Sequence, residues 1–155
     1  MEYVTTIKFE GMFIPIFVDD IVGVHAVTTN LFTHYGRLKS KYQIVLDRDL
    51  LDKEDDFVKY VFNHELGHIH LLLKIDRDEI DGTTIGLINH ELFADIYSLK
   101  SIDKYNLDFI EYLFRRDDYI SMESKINYNY IKKFIKRNIY NNIYDILTIN
   151  FTGIL

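Results

Sequence analysis

The stretch DKEDDFVKYVFNHELGHIHLLLK, Asp52–Lys74, decides how the chain is read. Asp52 predicts an N-cap, and Glu54, Asp55 and Asp56 place negative charge in the first turn, where it complements the helix dipole. Phe57, Val58, Val61, Phe62, Leu66, Ile69, Leu72 and Leu73 cover most of the circumference, so the spacing predicts a largely buried helix to about Lys74. A buried helix that carries His64, Glu65 and His68 needs a partner for each polar group, and a metal ion is one such partner. His64 and His68 stand at i and i+4, so both imidazoles leave one face and can converge on one ion. The chain has no cysteine. Any zinc must therefore be held by imidazole and carboxylate, in a tetrahedral set that leaves one position open when the site is catalytic. Glu65 lies beside the pair and can reach a water without binding the metal, which is the placement of a general base. Gly67, between the two histidines, costs a helix roughly 1 kcal/mol relative to Ala. A close approach by another backbone or a substrate explains it best.

Working outward, Glu91-Leu92-Phe93-Ala94-Asp95 repeats the i, i+4 logic on a second helix, predicted from near Ile88 to about Asp103. Glu91 can supply the third ligand. Asp95 can accept the second ring N–H of a ligand histidine, His64 by preference, and so set its tautomer. Ala94 keeps that turn narrow enough for two helices to pack closely. His90 projects about 100° away from Glu91 and is expected at the surface or behind a ligand rather than on the metal. His70 points away from the His64/His68 face. His25 and His34 have no spacing partner and read as structural, and Tyr128, Tyr130, Tyr140 and Tyr144 as packing. The loop Asp76–Thr84 offers Asp76, Asp78, Asp81 and Gly82, but a calcium loop needs an oxygen ligand where this chain has Ile80, and its glycine one place earlier.

The first 50 residues are rich in β-branched and aromatic side chains. Tyr3–Glu10 and Gly11–Val18 read as strands joined at Glu10-Gly11, and Pro15 suggests an edge strand or a bulge. Ile21–Phe32 is ambiguous between strand and helix, and Tyr42–Leu46 is a clear short strand. Helices are expected at about Leu107–Asp117 and Met122–Leu147, the latter broken near Asn141-Asn142. The fold class is α+β: a small twisted, mostly N-terminal sheet packed on an active-site helix, then a helical C-terminal half. No linker, repeat or low-complexity tract divides the 155 residues, so one domain, 1–155, is expected.

A net charge of −6 gives no global drive toward nucleic acid, and the Lys132, Lys133, Lys136, Arg137 cluster reads as a solvated helix face. The start Met1-Glu2-Tyr3-Val4 lacks the pattern of a signal peptide, and apolar runs fall short of a membrane span. A cytoplasmic protein without membrane or nucleic-acid partners is expected.

His64-Glu65-Leu66-Gly67-His68 followed by Glu91-Leu92-Phe93-Ala94-Asp95 resembles the gluzincin metallopeptidases, and is most similar to the compact ImmA/IrrE-like and minigluzincin types. The resemblance covers roughly residues 42–100. It implies a zincin-like fold, Zn²⁺ held by His64, His68 and Glu91, and Glu65 as catalytic base. It also implies an endopeptidase acting on a protein substrate such as a regulatory repressor. A sheet edge would align the peptide, with Tyr42–Leu46 or Phe13–Val18 in that part. No transition-state-stabilising Tyr, His or Arg is identifiable by motif. The alternative is a zinc-containing binding or regulatory module of the same fold that does not hydrolyse its partner.

Overall fold

The computed structural model describes residues 1–30, 41–80, 87–116, 122–137 and 143–148; His34, Asp81, Gly82 and Tyr140 lie outside them. The chain is α+β; among the described residues a four-stranded mixed sheet is followed by four α-helices. β1 (Glu2–Phe9) and β2 (Met12–Asp19) form an antiparallel hairpin. Its turn is Glu10-Gly11, with φ of 50° and 82°. Two consecutive positive φ values give the turn whose twist matches that of the flanking strands. β3 (Ala26–Asn30) resolves the ambiguous stretch as a strand. β4 (Tyr42–Asp47) pairs parallel with β2 and antiparallel with β3, giving the order β1-β2-β4-β3.

This order corrects the expectation about the edge. Tyr42–Leu46 and Phe13–Val18 both lie inside the sheet, and among the described strands the edge on the β4 side is β3. Pro15 sits in an interior strand, but β2 meets β4 only from Ile16 onward. Its missing N–H therefore removes nothing from that ladder. The expected irregularity falls on the neighbouring strand, where the register slips between Tyr3 and Thr5.

A 3₁₀ turn, Arg48–Asp52, precedes α1 (Asp55–Asp76). Asp52 closes that turn rather than capping the helix. The N-cap is Glu54, without a side-chain cap bond, and the first-turn charge comes from Asp55 and Asp56. The run of acids offers several caps, so the boundary is set by the 3₁₀ turn and not by residue type. α2 (Leu87–Ser101) follows, then α3 (Leu107–Phe114), whose N-cap Asn106 accepts the Phe109 N–H at 2.9 Å. α4 (Met122–Arg137) and a 3₁₀ turn, Ile143–Thr148, complete the described chain. One face of the sheet (Ile14, Ile16, Val18, Ile44, Leu46) packs against α1 through Phe57, Leu66 and Ile69. α2, α3 and α4 add Leu92, Ile110 and Phe134 to the same core. No described helix is long and apolar enough to cross a membrane.

Candidate metal centre

α1 and α2 pack side by side, and Gly67 lies against the backbone of α2 at Ala94. A Cβ there would lie 3.0 Å from the Cα of Ala94 and 3.2 Å from its carbonyl oxygen. The glycine thus has the cause expected of it, the backbone of the helix that carries Glu91. Close approach lets short side chains from both helices meet.

His64 Nε2 and His68 Nε2 are 3.0 Å apart. Glu91 Oε2 is 3.1 Å from the first, and Glu91 Oε1 is 3.3 Å from the second. The three groups together make a cluster able to hold a metal ion. Ligand bonds of about 2.1 Å to zinc would set tetrahedral ligands about 3.4 Å apart, close to what is seen. Two imidazole nitrogens and one carboxylate, facing one another beside a cleft, also match the donor set of a zinc site with an open position. The residues present fit the ion.

Each histidine of this candidate ligand set is held from behind. His64 Nδ1 lies 2.7 Å from Asp95 Oδ1 and donates to it, which turns Nε2 toward the cluster. Asp95 is itself buried at 5% exposure, accepting from Tyr60 at 2.8 Å and from Asn127 of α4 at 3.3 Å. The Tyr60 and Tyr128 hydroxyls are 3.2 Å apart. Burial disfavours charge on His64, but the carboxylates of Asp95, Glu91 and Glu65 together outweigh it and hold the imidazole well above its ordinary value. Burial would likewise raise Glu91, yet hydrogen bonds from His64 and His68 hold it well below the usual carboxylate range. His68 Nδ1 meets His90 Nδ1 at 2.8 Å, with the rings 22° from coplanar. A nitrogen–nitrogen distance far below the 4.8 Å centroid separation sets these rings edge to edge, as a hydrogen bond requires, rather than face to face. Burial first, and then charge on His68, lower His90 to about 4. It stands behind a ligand and is not one of the cluster.

Glu65 is 6% exposed and lies outside the ligand set. Its carboxylate accepts the Thr28 hydroxyl from β3 at 2.5 Å. A cavity of about 560 Å³ runs between β3 and the N-terminal part of α4, with His64, Glu65, His68, His90 and Glu91 along it. Apolar walls come from Val24, Phe57 and Val61.

His70 points to the other side of α1. Its Nδ1 bonds Glu10, its Nε2 is 2.7 Å from the Tyr144 hydroxyl, and its ring stacks on Tyr97 at 5.0 Å. His25 lines the cavity and packs edge-on to Phe57 at 5.0 Å. Tyr128 and Tyr130 are buried as packing residues, although Tyr128 also faces the cavity. Lys132 pairs with Glu111 at 2.5 Å, in keeping with a solvated helix face. Thr28, Tyr60 and Asn127 were not legible from sequence. Each has an ordinary side chain with no motif around it, and long-range packing alone brings it to the site. No family model, no curated protein and no solved structure matches the chain.

Proposed function

We propose that the protein is a zinc-dependent endopeptidase of the gluzincin type. The observation that carries this reading is the convergence of His64 Nε2, His68 Nε2 and the Glu91 carboxylate beside a cleft that also holds the non-ligand carboxylate Glu65. Zinc, when bound, supplies Lewis acidity that acidifies water and draws charge from a carbonyl oxygen.

The residues of the chain do the rest. Asp95 keeps His64 in the tautomer that offers Nε2 to the ion, and Tyr60 and Asn127 hold Asp95 in place. Glu65 takes a proton from the attacking water as its oxygen bonds to the peptide carbonyl carbon. Glu65 then passes that proton to the leaving amine as the C–N bond breaks, so no proton is gained or lost over the cycle. β3 borders the cleft through Ala26, Val27 and Thr28 and has one unpaired side among the described strands. It is the strand suited to align an extended peptide by strand addition. The apolar cavity wall suits a hydrophobic side chain of a protein substrate.

Metal analysis paired with cleavage of quenched fluorescent peptides, on wild type and Glu65→Gln, tests the assignment. Wild type should carry one zinc and cleave. Glu65→Gln should keep the zinc and lose cleavage by at least about a hundredfold. A wild-type protein that binds zinc tightly but cleaves nothing points instead to the non-catalytic module, and full activity in Glu65→Gln removes the base.

A further inference from the structure

β3 offers more than a backbone edge. Ala26 and Thr28 share one face of the strand, directed at α1, while Thr29 on the other face accepts from Gln43 at 2.9 Å. Ala26 is buried in the core, which seats this face firmly. Thr28 pairs with Ile44 of β4, so its position is fixed by the interior of the sheet. From there its hydroxyl reaches Glu65 Oε2 at 2.5 Å. A hydroxyl that donates to one carboxylate oxygen leaves the second oxygen with its lone pairs for another donor.

We propose that Thr28 is a positioning residue for Glu65: its hydroxyl pins one carboxylate oxygen and aims the other at the cleft. The claim rests on the peptidase reading above. A peptide added to the outer edge of β3 would lie one strand spacing, about 4.8 Å, from the strand that holds the base. Thr28 therefore fixes the register between the scissile bond and the group that takes the proton. Substrate alignment and base alignment become one constraint.

Thr28→Val replaces the hydroxyl with a methyl of similar size, and Thr28→Ser restores the donor. On the zinc-loaded full chain with the same fluorescent peptides, Thr28→Val should lower kcat about ten- to a hundredfold with KM within about twofold, since a small misplacement of a catalytic group has that effect. Thr28→Ser should recover most of the loss, and zinc content should not change in either. A second readout needs no turnover. In urea unfolding with zinc in fixed excess, Thr28→Val and Glu65→Leu should be coupled by about tenfold in the unfolding equilibrium constant. Full kcat in Thr28→Val, no recovery in Thr28→Ser, or strict additivity of the two substitutions would each overturn the proposal. If wild type cleaves and Glu65→Gln does not, such a result sinks the role of Thr28 alone. If wild type cleaves nothing, the peptidase reading falls and this one falls with it.

Discussion

The two sides of α1 each present an imidazole next to a carboxylate, yet they are built for different ends. On one side, His64 and His68 turn their Nε2 atoms toward each other and toward Glu91, and only their Nδ1 atoms are engaged from behind. On the other, His70 engages both ring nitrogens, one with Glu10 and one with Tyr144, and clusters with the rings of Tyr97 and Phe93. An imidazole with both nitrogens satisfied ties elements together; here it joins the β1–β2 turn and the last 3₁₀ turn to α1. Two imidazoles that face a carboxylate with their backs held are a candidate ligand set. The difference lies in what the second nitrogen meets, and sequence spacing gives only half of that.

The largest effect should separate the sides outright. Zinc at a thousandfold excess over its dissociation constant should stabilise wild type by about 4 kcal/mol. His64→Ala should show no such gain in a thermal melt, whereas His70→Leu should keep it in full. Loss of the zinc response in His70→Leu would erase the distinction. Next in size, His70→Leu should lower the urea-unfolding free energy by roughly 1–3 kcal/mol with zinc content unchanged, because the bonds to Glu10 and Tyr144, each worth about 0.5–1.5 kcal/mol, are both lost. A neutral result would make that side mere packing. The smallest change touches both sides at once. A Cβ on Gly67 would meet the Ala94 Cα at 3.0 Å and Tyr97 Cδ1 at 3.1 Å. Overpacking of about 1–3 kcal/mol, less about 1 kcal/mol of gained helix propensity, should leave Gly67→Ala between neutral and about 2 kcal/mol less stable. Zinc affinity should fall as Glu91 is pushed outward. Unchanged affinity would show that the ligands tolerate a wider gap between α1 and α2.

The ligand set was legible because it is local. An i, i+4 pair on a helix fixes which side chains share a face, so His64, His68, Glu91 and Asp95 could be paired before any fold was known. Gly67 and Ala94 were legible for the same reason, each being odd or small where helices must approach. The edge of the sheet was not. Which strand ends up outermost depends on pairings between residues far apart, and β4 enters between two strands that precede it. Thr28 was hidden with it, because a threonine in a strand is unremarkable until α1 is laid across it. His90 was expected at the surface or behind a ligand from its angle on α2, but its contact is with α1, which a single-helix projection does not contain.

That sheet order has a kinetic side. β3 has no strand neighbour in the described sheet other than β4, and β4 follows it in the chain. As the polypeptide leaves the ribosome, the hairpin β1–β2 can close on its own, but residues 26–30 must wait for residues 42–47 to emerge. The wall of the cleft beside Glu65 thus takes shape only after β4, and a nascent chain stalled before that point would carry a half-built sheet with β3 unpaired.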